Sequence, residues 1–409
     1  MLDSPGRKPP ALASAAARVA RFLAIERNIV LLLIAIVVIG AGEEMWMRFL
    51  PKYLEALGAG VFVIGLFDAM KTLLGAFYAW PGGVIVDRFG HRRALMAFNI
   101  FSILGYALVL AVPHWGAVFA GMFLFLGWSC FSLPATFSLI GSALAREKHA
   151  MGIGVQSLVK RLPILFGPLI GGVLIDRLGV IEGVRVALAI SIVLSFATIF
   201  FQNKISPTID ATAAPVHGLR RTLASFPPGL WTLLASDILV RFCERIPYAW
   251  IVIYAMNNAR VTGVQVGVLT TVEMLTAMAC FIPVAHWAEK TRREPFVGIT
   301  FVFFTLFPLS LMVAKSFPLL LAAFAIRGLK EFGEPARKAL IIGHCEPSQR
   351  GRMVGAYYLM RDTIVTPGAI LGAWLWQRGA VYNFWAAAIF GAAGTVFYFA
   401  TARRSSAEL

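Results

Sequence analysis

The chain has 409 residues, of which 59% are hydrophobic and only 14% are charged. Soluble domains carry about a quarter charged residues, so this composition excludes a soluble globular protein. The net charge of +16 would suit a nucleic-acid-binding protein, but the basic residues lie in short segments between apolar runs and form no continuous patch. We therefore expect an all-α protein that crosses a membrane many times.

Apolar runs long enough to cross ~30 Å of hydrocarbon recur along the whole sequence. They predict twelve spans, at residues 28–52, 60–86, 94–113, 115–143, 150–175, 183–202, 229–256, 262–287, 295–314, 317–343, 351–377 and 381–402. The proline-containing polar segment 203–228 is predicted to link two six-helix lobes, 28–202 and 229–402. Residues 1–27 lack the features of a signal peptide and are interpreted as a retained tail, with 403–409 as a second tail.

The distribution of basic residues predicts the orientation. With the N-terminus in the cytoplasm, the cytoplasmic segments hold 20 lysines and arginines and the outer segments hold 6. Cytoplasmic loops carry this excess in membrane proteins, so both termini are predicted to be cytoplasmic. The compact loops favour a bacterial inner membrane. The four cysteines have no metal-like spacing, so neither a zinc site nor a disulfide framework is expected.

The two predicted lobes resemble each other in sequence. Gly172 in span five recurs as Gly372 in span eleven, and Lys71 in span two aligns with Glu273 in span eight, at offsets of 200 and 202 residues. Internal repeats of this kind place a transporter's binding site near the middle of the membrane, between the repeats. The alternative is that any two apolar helices with prolines look alike.

A glycine-containing, strongly basic segment ends span two. Its characteristic residues are Gly83, Asp87, Arg88, Gly90, Arg92 and Arg93. We expect a short turn in which Gly90 adopts a positive φ and the arginines face the anionic cytoplasmic surface. The spacing of glycine, acid and base resembles the signature of the major facilitator superfamily between its second and third helices, although His91 stands where that family has a basic residue.

This resemblance implies a fold of twelve transmembrane helices arranged as two pseudo-symmetric six-helix bundles. It also implies that the six residues of the segment help to latch a cytoplasmic gate. The alternative is a plain anchor for a positively charged cytoplasmic loop. A less complete copy of the basic turn at 285–293 supports two related halves.

A second motif lies in span five and consists of Gly154, Gly167, Pro168, Gly171 and Gly172. Pro168 removes a helical hydrogen bond, and the paired glycines allow another helix to approach closely. The motif resembles that of proton-coupled drug antiporters in the same superfamily, which implies export by antiport. Pro163 and Phe123 depart from the antiporter pattern of glycine and arginine, and a general small-residue packing face is the alternative.

Ionisable groups inside membrane spans are costly unless they are paired or face water, which makes them functional candidates. The residues expected to bind substrate are Lys71, Arg161, Arg241, Arg327, Lys330, Glu331 and Arg361. The residues expected to carry the coupling proton are Glu273, Glu43, Glu44 and Asp68. Glu273 ranks first because it lies deepest and has no basic residue one turn away on its own helix. A static ion pair across helices is the alternative for each.

Span ten has the densest charge. Arg327 and Glu331, like Lys330 and Glu334, are four residues apart and share a helix face. They form either a self-neutralised ladder or the wall of a wet, charged cavity, and the cavity is favoured for Arg327, Lys330 and Glu331. The cations of the spans suit an anionic or zwitterionic solute.

We therefore predict a monomeric secondary transporter of a small polar organic solute that works by alternating access, is coupled to protons and uses no cofactor or metal. Export by antiport is favoured over uptake by symport. A uniporter, and a transporter-shaped sensor or assembly protein that moves nothing, are the alternatives. No Ser/His/Asp set, phosphate loop or metal cluster has useful spacing, so we do not expect an enzyme.

Overall fold

A computed structural model describes residues 27–128, 159–205, 219–345 and 350–407. Every regular element within these residues is a helix. The helices of the N-terminal lobe are α1 (Arg27–Met47), α2 (Leu50–Ala56), α3 (Val61–Phe89), α4 (His91–Ala111), α5 (Trp115–Leu126), α6 (Arg161–Leu178) and α7 (Val180–Asn203). A short helix, α8 (Leu219–Ala224), lies in the segment predicted to link the lobes.

The C-terminal lobe repeats this arrangement. Its helices are α9 (Pro228–Arg245), α10 (Trp250–Asn257), α11 (Gly263–Lys290), α12 (Glu294–Val313), α13 (Phe317–Leu329), α14 (Glu334–Gly343), α15 (Arg350–Val365), α16 (Pro367–Arg378) and α17 (Ala380–Ala407). Seven of the described helices are long and apolar enough to cross a membrane, namely α1, α3, α4, α7, α11, α12 and α17. The pairs α9–α10, α13–α14 and α15–α16 each form one interrupted span, and α5 and α6 are the described parts of spans four and five. Together they give two bundles of six.

Span two, predicted to end at residue 86, ends three residues later in the structure, which makes the turn shorter than expected. Helix α3 runs without interruption through Gly83 and Asp87 to Phe89, and α4 begins at His91. A glycine inside a helix costs only about 1 kcal/mol relative to alanine, and the hydrogen bonds of a membrane span outweigh that cost. Only Gly90 leaves the helical conformation, with φ 78° and ψ 159°, so the positive φ predicted there is confirmed.

The internal repeat is visible in the helix packing. A Cβ atom built on Gly171 of α6 would overlap the carbonyl oxygen of Met45, and one built on Gly372 of α16 would overlap the carbonyl oxygen of Ile246. Both partners of this contact shift by 201 residues between the lobes. The same close approach of two backbones is therefore made twice, which confirms that the lobes are two copies of one arrangement.

The turns that follow α2 and α10 are equivalent as well. Gly58 has φ 81°, and Arg260, at an offset of 202 residues, has φ 54°. Arg260 is the one non-glycine residue in the described part of the chain with a positive φ.

The lobes meet along two helix pairs, α6 with α11 and α3 with α16. Gly172 of α6 packs against the backbone of Gly263, and Gly65 of α3 packs against Ala373. Small residues at both crossings let the backbones approach closely. These crossings hold the two lobes together at one end of the molecule.

This end is called the closed face and consists of residues 50–58, 172–183, 257–267 and 372–380. Polar contacts between the lobes add to its packing. Asn257 accepts a hydrogen bond from Lys52 at 2.5 Å and donates one to Glu55 at 2.9 Å. At the closed face, the lobes are therefore joined both by these polar side chains and by the close helix crossings of α6 with α11 and of α3 with α16.

Candidate functional site

A cavity of about 220 Å³ lies between the lobes, beside the closed face. We call it the central cavity. Its polar lining residues are Glu44, Arg48, Asp68, Lys71, Tyr248 and Arg327. Its apolar lining includes Leu50, Leu54, Ile64, Phe67, Ile251 and Val252. Both lobes therefore contribute charge to one enclosed space, as the repeat predicts.

Two equivalent helix breaks form part of the cavity wall. Helix α1 ends at Met47, just before Arg48, and Tyr248 lies in the gap between α9 and α10. Pro51 and Pro247 follow these helix ends and lack the N–H that a continuing helix needs. The breaks place a polar residue from each lobe in the cavity wall.

Glu44 and Arg48 are four residues apart, which is about one turn of α1, and both line the central cavity. Within the described part of the chain, neither side chain makes a hydrogen bond or an ion pair within 4 Å. A charge inside a membrane protein is costly without a partner or water. The two groups therefore present one negative and one positive binding partner to whatever occupies the cavity.

Asp68 links the lobes at the cavity wall. Its two carboxylate oxygens lie 3.4 and 3.3 Å from Nη1 of Arg245, and one lies 3.8 Å from Nζ of Lys71. The ring of Tyr248 lies 5.1 Å from each of these two cations, within the range of cation–π attraction. These contacts tie α3 to α9 and give Asp68 two partners.

Glu273, the carboxylate that sequence ranked first for proton transfer, is paired with a cation from another helix. It lies 3.3 Å from Nη1 of Arg327, and both side chains are buried. The guanidinium of Arg327 also lies over the rings of Phe307 and Phe324. The partner comes from α13, which is why the sequence around Glu273 did not reveal it. This is the ion pair across helices that the sequence left open as an alternative.

Arg161 and Glu331 form a further link between the lobes, 3.3 Å apart. Arg161 is the first residue of α6, and Glu331 lies in the gap between α13 and α14. Arg161 also donates to the sulfur of Met274 at 3.4 Å. The structure therefore places these two predicted substrate-binding residues against each other at the lobe interface.

A cluster that we call the C-lobe ion network occupies the interior of the second lobe. Its members are Asp237, Arg241, Glu244, Lys330, Glu334, Arg337 and Arg361. Asp237 pairs with Arg337 and accepts a hydrogen bond from Tyr357 at 3.1 Å. Glu244 pairs with Lys330 and, at 2.7 Å, with Arg241. Each acid of the network is paired with at least one base inside the lobe, and Arg361 also pairs with Asp362 at 2.7 Å.

The predicted site residues thus fall into three groups, with Glu43 apart from all of them. Glu44, Asp68, Lys71 and Arg327 meet in the central cavity. Arg161, Glu331 and Glu273 are at or near the lobe interface in ion pairs. Arg241, Lys330 and Arg361 belong to the C-lobe ion network, and Glu43 is buried in the first lobe.

The two sequence motifs are described in part. Gly167 and Gly171 pack against α1, and Gly172 packs against α11, so the predicted close approach is observed. Gly154 and the side chain of Asp87 lie outside the described part of the chain. Arg92 donates to the side chain of Asn203, which joins α4 to the end of α7.

Sequence reasoning did not assign Arg48, Arg245 or Tyr248 to the site. The repeat contained a signal for one of them, because Arg245 lies 201 residues after Glu44. Arg245, which pairs with Asp68, therefore occupies the same position in the C-terminal lobe as Glu44 in the N-terminal lobe.

The fold and the site define an α-helical membrane protein in which two equivalent six-helix lobes enclose a charged central cavity. The family model of the Major Facilitator Superfamily matches residues 32–257 and 233–409. The chain therefore belongs to this superfamily, and it is a membrane-embedded transporter of a small molecule.

Individual relatives are distant. Multidrug resistance protein MdtH of Enterobacter sp. (strain 638) is 23% identical over 343 residues, covering 81% of this chain and 82% of that protein. The crystal structure of the human organic anion transporter MFSD10 (TETRAN) matches with a TM-score of 0.65 at 15% identity, over 91% of this chain and 99% of that chain. A POT family transporter in complex with 5-aminolevulinic acid matches with a TM-score of 0.74 at 11% identity, over 92% and 95% of the two chains. The two structures establish the fold.

Proposed function

We propose that this protein is a secondary active transporter that moves a small zwitterionic solute by alternating access, in exchange for protons. The observation that carries the proposal is that Glu44 and Arg48, two opposite charges four residues apart, both line the central cavity and make no hydrogen bond or ion pair within 4 Å in the described part of the chain. Ions in membrane spans occur where they meet substrates, coupling ions or each other. A zwitterion can contact both charges with one molecule.

The rest of the wall supports a solute that is small and partly apolar. Leu50, Leu54 and Phe67 offer it an apolar surface. Sites for drug-sized ligands usually measure ~300–1,000 Å³, and the central cavity, at about 220 Å³, is smaller. This comparison favours a solute close to an amino acid in size over a large drug.

Glu44 is the proposed proton carrier. Glu273 is held by Arg327, and Asp68 by Arg245 and Lys71, whereas Glu44 has no such partner within the described residues. An ammonium group of the solute and a proton compete for this one carboxylate. Competition for a shared site couples the two movements in opposite directions, which is antiport.

Export across a bacterial inner membrane by a monomer is the proposed direction and setting. MdtH is named for multidrug resistance, and the span-five motif resembles that of antiporters. The excess of basic residues supports a cytoplasmic position for both termini, and in that orientation the closed face is the outer one. The described conformation is then the one that exchanges solute with the cytoplasm.

Proteoliposomes with an imposed pH gradient test the substrate class. The probes are leucine, leucine methyl ester, which lacks the carboxylate, and N-acetylleucine, which lacks the ammonium group. Loss of one ionic contact should reduce uptake into the proteoliposomes about tenfold or more, since ~1.4 kcal/mol corresponds to one decade in affinity. Equal handling of the three compounds would refute the zwitterion proposal.

Variants in the same assay test the coupling. Glu44→Gln should abolish flux driven by the pH gradient, whereas Glu182→Gln, at an exposed position on α7, should leave it unchanged. If Glu273→Gln abolished the proton-driven flux and Glu44→Gln did not, Glu273 would be the proton carrier instead of Glu44. Solute flux in the same direction as protons would show the alternative, symport, and no flux with any probe would favour a sensor or assembly protein.

A further inference from the structure

The sequence of the basic segment at the end of α3 occurs a second time in the chain. Residues 83–90 read GVIVDRFG and residues 172–179 read GVLIDRLG, with five of the eight positions identical and three conservatively changed. Both copies end a long helix with an Asp-Arg pair followed by an apolar residue and glycine. The second copy overlaps the last glycine of the span-five motif.

The backbone has the same shape in both copies. Gly90 has φ 78° and ψ 159°, and Gly179 has φ 80° and ψ 167°. Each glycine ends one helix, and the next helix starts at the following residue. Two spans, three and four, lie between α3 and α6, so the two helices cross the membrane in opposite directions. The two copies therefore lie on opposite faces of the membrane.

The second copy holds the other lobe through Asp176. Its Oδ1 accepts the backbone N–H of Gly263 at 2.5 Å, and its Oδ2 accepts the N–H of Val264 at 2.8 Å. Gly263 and Val264 are the first residues of α11. A carboxylate at a helix N-terminus is favoured by the helix dipole, and its hydrogen bonds are stronger than those of neutral acceptors.

The first turn of α11 depends on this contact for complete hydrogen bonding. A helix leaves four N–H groups without partners at its start. Thr262 and Gln265 satisfy their own two by a reciprocal capping box. Asp176, from the opposite lobe, satisfies the remaining two. Separating the lobes at this face would leave both groups to be hydrated.

We propose that residues 172–179 form a second gate segment and that Asp176 is the latch that holds the closed face shut. The proposal rests on alternating access, in which the segment at 83–90 acts on the opposite face in the opposite state. The position of Asp176 in the other lobe is Gln377, so this latch is built on one side of the face only.

Pulsed EPR in nanodiscs tests the latch without solute or pH gradient, so its outcome is independent of the substrate and of proton coupling. Spin labels at Glu182→Cys and Lys315→Cys, exposed positions of the two lobes at this end, report their separation in a background with the four native cysteines replaced by serine. Asp176→Ala should raise the ratio of open to closed distances roughly tenfold, because charged hydrogen bonds are lost. Asp176→Asn keeps one acceptor and should have a smaller effect.

Two matched variants complete the test. Arg177→Ala, at the exposed neighbouring position, should leave the distances unchanged, and Asp87→Ala should shift them towards the closed state. Wild-type distances in Asp176→Ala, or a shift of the same sign in Asp87→Ala, would overturn the proposal. If Asp176→Ala does not fold, wild-type distances in Asp176→Asn overturn it instead.

Discussion

The two lobes share one backbone plan but bury different chemistry. In the N-terminal lobe, the amide of Asn99 donates to the carbonyl of Ser195 at 2.9 Å and to the side chain of Gln202 at 3.2 Å, a network of neutral groups. In the C-terminal lobe, the interior holds the C-lobe ion network, in which Asp237 and Arg337 are paired and buried.

The repeat aligns these interiors residue by residue. At an offset of 201, Asp237 replaces Ile36 and Arg241 replaces Gly40, yet both lobes keep the close contacts made by Gly171 and Gly372. The small residues at helix crossings therefore determine the fold. In the described part of the chain, the charges inside the second lobe are paired with opposite charges, whereas Glu44 and Arg48 at the cavity make no ion pair within 4 Å.

The largest expected effect is loss of folding when the shared contact is broken. Gly171→Val and Gly372→Val each force a side chain into a backbone carbonyl, at a cost of about 3 kcal/mol or more. Both variants should fail to give a monodisperse peak in detergent. Gly355→Val is the control, since nothing lies within 4 Å of that position. A folded Gly372→Val protein would show that the lobes do not share this requirement.

The next effect should distinguish the two interiors. Asp237→Asn removes the charge that faces Arg337 and Arg361, and breaking a buried pair costs about 3 kcal/mol or more. A conservative change at the equivalent position of the other lobe, Ile36→Val, should cost about 1 kcal/mol, because it removes one buried methyl group. Thermal unfolding of both variants measures the difference. Equal losses would mean that the network contributes no more than ordinary packing.

A smaller effect, with opposite signs, is expected at the equivalent positions Arg245 and Glu44. Arg245→Gln removes the link to Asp68 and should lower stability by about 1 kcal/mol. Glu44→Gln removes an unpaired charge and should leave the unfolding temperature unchanged or higher. Thermal unfolding without solute measures both. A loss of stability in Glu44→Gln would indicate that Glu44 has a structural partner.

The smallest effect is expected at an ion pair outside both interiors. Glu182 and Arg185 are 2.9 Å apart on α7, and Glu182 is solvent-exposed whereas Arg185 is half-buried. Glu182→Ala should change stability by less than about 1 kcal/mol, because exposed pairs contribute little. The same unfolding assay applies, and a larger loss would mean that the position contributes more than its exposed ion pair.

Much of the fold was predictable from the sequence. Long apolar runs indicated the spans, since hydrocarbon thickness fixes their length. The repeat was predicted as well, but the pairing of Gly172 with Gly372 was wrong by one residue, because the structure makes Gly171 the equivalent of Gly372. The interruptions within spans were not predicted, because hydropathy does not record a change of helix direction.

The site was predicted less completely. Charge in apolar runs drew attention to Glu44, Asp68 and Lys71, which line the central cavity, and their roles in transport stay predictions. The sequence did not tell these residues from Arg241 or Arg361, because a partner on another helix leaves no local pattern. Glu273 shows the limit most clearly, since its pairing with a residue 54 positions away depends on the crossing of two helices.

Arg260 adopts a left-handed backbone conformation that is unfavourable for an arginine, with φ 54°. Its left-handed backbone costs a non-glycine residue roughly 1–2 kcal/mol, whereas Gly58 adopts the same bend in the first half without that cost. The surrounding structure, and not the residue, therefore imposes this turn. Arg260→Gly should therefore raise the stability of the protein, because glycine adopts this backbone conformation without the cost.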